Sequence, residues 1–264
     1  MEVYGSLREE MKAFKCCLDT VRKSPPWMTE QQHDSYRWNP YSLEGGSTAA
    51  VCGDDFAIIA SDTRMSQFEI NILTRQAEKI TVLNDSIILA CSGFYGDVLQ
   101  LRRLLEARLH KYRFDYRDNM TVDLCAELLS RNLYYRRFFP YYTGAILAGI
   151  DENGKFRLFF FFSFRGHGAV FSYDPIGCIQ RVVYTASGSA EPMIIPFFDC
   201  QIDQVTQAED AEKVPLTIDR AASLMKDAFR MSAEREISTG DKIHLVIAEH
   251  NKPVRQLFLP LRED

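Results

Sequence analysis

Nothing in this sequence is apolar for long enough to span a bilayer. Even the run Leu158–Phe162 falls far short of the roughly 20 residues that a membrane helix needs. The N-terminal stretch carries Lys12, Lys15, Arg22 and Lys23 with no continuous apolar segment beside them, so no secretory leader is expected. Positive charge is not in excess. Lys and Arg total 31 against 36 Asp and Glu, for a net charge of −5, which leaves no basic field to hold nucleic acid or a membrane surface. No two cysteines have the C-x-x-C spacing, and the seven present (Cys16, Cys17, Cys52, Cys91, Cys125, Cys178 and Cys200) are odd in number and irregular in interval. That pattern predicts reduced, mostly buried thiols and no zinc site. The histidines His33, His110, His167, His244 and His250 show no metal-ligand spacing either. Gly53-Asp54-Asp55 is a turn and not a phosphate cradle, because no helix start with Lys-Ser/Thr follows it. No cofactor or metal is expected.

What is present is an ordinary globular composition: 264 residues, 46% hydrophobic and 25% charged, enough to bury a sizeable core as one domain. Residues 1–45 stand apart, with mixed charges, Pro25-Pro26 and a polar stretch from Thr29 to Arg37. They read as an N-terminal extension or propeptide, partly disordered, with room for a short helix over Leu7–Val21. From 46 onward a domain begins. Strands are expected at Ser47–Cys52, Phe56–Ser61, Ile70–Leu73, Lys79–Leu83 and Ser86–Cys91. A helix over Asp97–Tyr112 would bury Val98, Leu101, Leu104, Leu105 and Leu109. A second helix, capped by Thr121, would bury Leu124, Cys125, Leu128 and Leu129. Further strands are expected at Tyr142–Ile150, with a hairpin signal at Asn153-Gly154, then at Ala169–Asp174 and Gln180–Ala186. A short helix over Ala190–Phe198 and a long one capped by Thr217 follow. The long helix would bury Ile218, Ala221, Ala222, Met225, Ala228 and Phe229. Strands Ile243–Glu249 and Pro253–Leu259 close the chain. Runs of strands and helices segregated in this way predict an α+β fold of helices packed on antiparallel sheets.

Particular motifs narrow this. Gly45-Gly46-Ser47-Thr48, the run Ile58–Arg64 with its Asp62-Thr63-Arg64, then Lys79, then Cys91-Ser92-Gly93 resemble the proteasome beta subunits. Tyr134–Tyr142, Tyr173–Gly177 and Ser238-Thr239-Gly240-Asp241 add to the resemblance, which covers residues 38–264. It implies a four-layer αββα sandwich, two antiparallel sheets flanked by helices, of the N-terminal nucleophile hydrolase type. It also implies partners: other beta subunits in a heptameric ring, with a facing beta ring and alpha rings stacked on both, in the cytoplasm and nucleus.

Hydrolases of this type use one N-terminal residue twice. Its hydroxyl attacks the scissile carbonyl and its own freed α-amine is the base. A lysine activates the hydroxyl, an aspartate orients the lysine, and backbone N–H groups stabilise the oxyanion. By the resemblance, the nucleophile precedes the Asp of the Asp-x-Arg motif by sixteen positions, and counting back from Asp62 lands on Gly46, which has no side chain. The remaining positions carry over as Asp62, Lys79, Ser187, Glu236 (where active members have Asp) and Thr239 (where they have Ser). These form a remnant pocket with no catalytic residue. Ser47 is a hydroxyl one position late, and on a strand one position turns a side chain to the opposite face. The expectation is therefore a non-catalytic structural subunit of the proteasome core. The alternatives are a serine hydrolase using Ser47, or a stand-alone binding module. Asp62 and Lys79 would form a buried ion pair, with Arg64 joining it or facing solvent. The stretch Tyr134–Tyr142, aromatic and carrying Arg136-Arg137, reads as an interface with a neighbouring subunit or as core. Phe156–His167 interrupts the pattern as an insertion, read either as a lengthened interface loop or as a translated intron.

Overall fold

The computed structural model describes residues 45–67, 71–151, 168–204 and 214–262. The expected extension up to residue 44, the helix within it, the 153–154 hairpin signal and the 156–167 insertion lie outside the described residues.

Twelve strands and four helices build the described part. The chain opens with β1 (Ser47–Cys52), β2 (Phe56–Asp62), β3 (Met65–Gln67), β4 (Asn71–Thr74), β5 (Ile80–Val82) and β6 (Ile87–Gly93). Two helices follow, α1 (Tyr95–Tyr116) and α2 (Val122–Tyr135), then β7 (Thr143–Ile150), β8 (Gly168–Tyr173), β9 (Ile179–Val182) and β10 (Tyr184–Gly188). Helix α3 (Glu191–Phe198) runs into a π-helical turn, Asp199–Asp203, before α4 (Ile218–Arg235), β11 (Lys242–Glu249) and β12 (Arg255–Pro260).

The strands form two five-stranded antiparallel sheets. The first has the order β10-β1-β2-β11-β12 and the second β5-β6-β7-β8-β9, while β3 and β4 pair separately. Strand period assigns every side chain to a layer. On β1 and β2, Ala49, Val51, Phe56, Ile58 and Ala60 face outward and pack with Ile194 and Phe198 of α3 and Met225 and Phe229 of α4. The alternate residues Ala50, Cys52, Ala57 and Ile59 point inward and meet Ile88, Ala90, Ile146 and Ala148 of the second sheet. Small and branched residues thus interdigitate between the sheets. The outer face of the second sheet, with Leu89, Leu147 and Phe171, is covered by Leu101 and Leu105 of α1 and Cys125, Leu129 and Leu133 of α2. Each of those fully buried leucines contributes about 1.5–3 kcal/mol relative to exposure. The result is the α+β sandwich that the order of elements implied.

Local differences have local causes. Gln180–Ala186, expected as one strand, is split at Val183, and β9 belongs to the second sheet while β10 belongs to the first. The carbonyl of Val183 accepts from Cys52 N–H at 2.8 Å, so the break is where the chain crosses between layers. Leu124, expected in the core, is 45% exposed, because the buried stripe of α2 runs through Val122, Cys125, Ala126, Leu129 and Leu133. Strand β3 was not expected. It pairs with β4, whose predicted position was one residue early. Thr121 and Thr217 cap α2 and α4, accepting from Leu124 and Arg220 N–H respectively. Of the described cysteines, Cys52, Cys91 and Cys125 are buried, and Cys178 and Cys200 are exposed. Burial pushes the Cys52 thiol up to about 11 and those of Cys91 and Cys125 up to about 12, so these three sulfurs are packing groups.

Candidate functional site

The residues singled out by spacing converge at one end of the sandwich, where β1 begins. Gly46 shares the strand parity of Thr48, Ala50 and Cys52, so a side chain there would point between the sheets. A Cβ built on Gly46 would lie 1.9 Å from Lys79 Nζ and 3.0 Å from Asp62 Oδ1. The geometry thus aims position 46 at the lysine–aspartate pair, and the lysine ammonium fills the space of the missing side chain. Gly46 also has φ of +88°, a backbone conformation that residues with a Cβ rarely adopt.

Lys79 and Asp62 form the buried ion pair. Lys79 Nζ donates to Asp62 Oδ1 at 2.6 Å and to the Arg64 carbonyl at 2.6 Å, with Asp62 at 0% and Lys79 at 6% exposure. Asp62 is further satisfied by backbone donors: Ser47 N–H at 2.8 Å on Oδ1, and Arg64 N–H at 3.2 Å and Gly240 N–H at 3.4 Å on Oδ2. A buried carboxylate needs this density of donors to offset its lost hydration. The aspartate therefore ties together the starts of β1 and β3 and the loop before β11.

Ser47 faces the other way. Its parity is that of Ala49 and Val51, toward the α3–α4 layer. Its Oγ accepts from Ala190 N–H at 2.9 Å and shares a hydrogen bond with Thr239 Oγ1 at 2.8 Å. Both hydroxyls are fully buried. Thr239 thus belongs to the hydroxyl cluster of Ser47 and not to the Lys79 side of the strand.

Ser187 and Glu236 complete the carried-over set. Ser187 points between the sheets, where its Oγ lies 3.0 Å from Ser92 Oγ. Two residues further on, Ser189 lies with Ser47 and Thr239 instead. Its N–H donates to the Gly46 carbonyl at 3.1 Å, and its Oγ lies 3.4 Å from both Ser47 Oγ and Thr239 Oγ1. Gly188, with φ of +101°, separates the two serines. Its backbone passes so close to the Gly46 carbonyl that a Cβ there would sit 2.2 Å from that oxygen. Strand parity is lost at this turn, so Ser187 stays on the inter-sheet side with Thr48 while Ser189 joins the Ser47 hydroxyl cluster; the Gly between the two serines is the sequence signal for that change of face. Glu236, at the C-terminal end of α4, accepts from Ser238 N–H at 3.1 Å and braces the following turn.

Arg64 meets the Lys79–Asp62 pair only through its backbone, and its side chain is not left to solvent. It donates to both Asp241 carboxylate oxygens, at 2.9 and 3.3 Å, and to the Ile237 carbonyl at 2.9 Å. Arg75 pairs with the same carboxylate. Burial of Asp241 would raise its pKa, but the hydrogen bonds and charges of Arg64 and Arg75 outweigh it and hold the carboxyl below its usual range. Motif reading did not pair these residues. Among the described residues, no group of three or more His, Cys, Asp or Glu side chains is placed to hold a metal ion, and no helix is long and apolar enough to cross a membrane.

The aromatic stretch divides. Tyr141 is core at 3% exposure, under the Arg136 guanidinium at 4.8 Å. Tyr135, Phe138 and Phe139 are 89%, 90% and 66% exposed, so the core alternative does not hold for them.

A four-layer αββα sandwich with a buried lysine–aspartate pair at the start of β1 has the arrangement of the N-terminal nucleophile hydrolase class of fold. Within that class, the sequence profile of the proteasome subunit family matches residues 43–248. A Caenorhabditis elegans protein named proteasome subunit beta type-1 is 69% identical over 97% of this chain and 94% of its own length. Relatives of the same name from Danio rerio and Arabidopsis thaliana are 42% and 37% identical, over 87% and 90% of this chain and 90% and 100% of their own lengths. The chain belongs to the proteasome subunit family. As such it assembles with other subunits into a proteasome core.

Proposed function

We propose that this chain is a non-catalytic beta subunit of the 20S proteasome core, supplying wall and contacts to a degradation chamber whose peptide cleavage is done by other subunits. The observation that carries this is Gly46. It is the position aimed at Lys79 and Asp62, it has no hydroxyl, and Lys79 Nζ stands where its side chain would be. Ser47 does not substitute, because its Oγ is directed to Ala190 N–H and Thr239 on the opposite face of the strand. A stand-alone binding module has no support in the site, whose interior is filled by Lys79. In this reading the chain occupies one place in a seven-membered beta ring that faces a second beta ring and stacks on an alpha ring, in cytoplasm and nucleus. The exposed aromatic residues Tyr135, Phe138 and Phe139 are suited to contact with neighbouring subunits.

The test is N-terminal sequencing of the chain taken from assembled particles, combined with labelling by an electrophilic probe that forms adducts with N-terminal nucleophiles. Adducts on sibling subunits and none on this chain are expected. An adduct on Ser47 would replace this reading with that of an active serine hydrolase.

A further inference from the structure

Strand β12 is the edge of the first sheet and pairs only with β11 among the described residues. Five of its six residues are exposed. Apart from its backbone ladder, it is tied down by the Arg255–Glu249 ion pair near its start, by Leu259 against the core, and between them by His244 of β11. The imidazole stacks on the Phe258 ring at 4.2 Å between centroids, with 8° between planes, and its Nε2 lies 3.1 Å from Gln256 Oε1. The amide oxygen is an acceptor, so Nε2 carries the proton of the neutral ring and Nδ1 the lone pair. Nδ1 is buried with no hydrogen-bond partner, and so is Oγ of Ser61, the register partner of His244 on β2.

We propose that His244 is an acid-sensitive latch for β12: the neutral imidazole holds the edge strand against β11, and a proton on Nδ1 releases it. His244 is 4% exposed and shares a face with Val246 and Ala248, so the second proton would put a cation in an apolar layer with no acceptor in place. The ring is faced by uncharged Ser61 from β2 and by uncharged Gln256 and Phe258 from β12. The charge felt from the segment before β5 is the exposed Glu78 carboxylate. Burial pushes the imidazole below its ordinary range, and the Gln256 bond and Glu78 pull the other way without overcoming it. A folded-state pKa below the unfolded one means the latch is fully closed above about pH 6.5 and weakens as pH falls from there toward the folded value.

Hydrogen-exchange mass spectrometry on assembled particles tests this, at about pH 7.5 and 5.5 with rates corrected for intrinsic pH dependence. The peptide over 255–261 should lose protection at the lower pH, while that over 143–150 is unchanged. His244→Phe keeps the stacking but cannot titrate, and should abolish the response; His244→Gln serves the same purpose if the phenylalanine variant does not enter particles. Equal protection of β12 at both pH values, or an acid response retained in either variant, would overturn the proposal.

Discussion

At the scale of single residues, position 46 combines two constraints that a side chain would violate. The backbone is in the left-handed region, and the direction a Cβ would take is filled by Lys79 Nζ. Gly46→Thr therefore places a β-branched residue in strained backbone and against an ammonium held by Asp62 and the Arg64 carbonyl. We expect it to lower the thermal-unfolding midpoint and to create no probe-reactive hydroxyl, both measurable on purified particles carrying the variant. Lys79→Met removes one partner of a fully buried pair and leaves Asp62 uncompensated, a loss of about 3–5 kcal/mol. Asp62→Asn in the same chain removes that stranded charge, so the double variant should lose less than the sum of the single ones in a double-mutant cycle of denaturant unfolding. Additive losses would mean that the two side chains act independently.

At the scale of elements, helix α2 shows how one apolar residue differs from another. Leu129 is fully buried against the second sheet and Leu124 is 45% exposed. Leu129→Ala should cost about 2–5 kcal/mol, and Leu124→Ala should fall within about 0.5 kcal/mol of zero, read from denaturant midpoints. A stability loss at Leu124 equal to that at Leu129 would mean its outer face is covered by a partner. The loop between α4 and β11 behaves as a unit as well, since Arg64 and Arg75 clamp Asp241 against it. Its depressed carboxyl contributes stability that is present above about pH 4, the unfolded carboxylate value, and is lost as pH falls through the folded one. Arg64→Ala should flatten that acid dependence, seen as a smaller drop in melting temperature between about pH 5 and 3.

At the scale of the whole molecule, the described surface carries large exposed apolar groups that a free monomer would leave in water. Phe114, Tyr135 and Phe138 are each more than four-fifths exposed, and aromatic side chains of this kind are enriched at subunit interfaces. Purified alone, the full chain should self-associate or precipitate, and light scattering on a sizing column measures this. A stable, monodisperse monomer would count against its role as a wall component.

Much of this protein was legible in the chain itself. Alternating and helical periodicity located most of the strands and the four α-helices of the described residues, and local chemistry such as Thr121 and Thr217 as caps set helix starts, because these depend on neighbours a few residues away. The resemblance to the proteasome beta subunits, through the count back from Asp62 that it implies, pointed to Gly46, and strand parity separated that position from Ser47. What the chain could not determine was set by contacts distant in sequence. The opposite placement of Ser187 and Ser189 follows from a turn at Gly188 packed on the Gly46 carbonyl. The outward face of Leu124 follows from how α2 is rotated on the second sheet. The pairing of Arg64 with Asp241 brings together residues 177 apart in sequence. Parity and propensity are properties of a segment, whereas these three outcomes depend on which surfaces of the sandwich meet, and only the tertiary structure decides that.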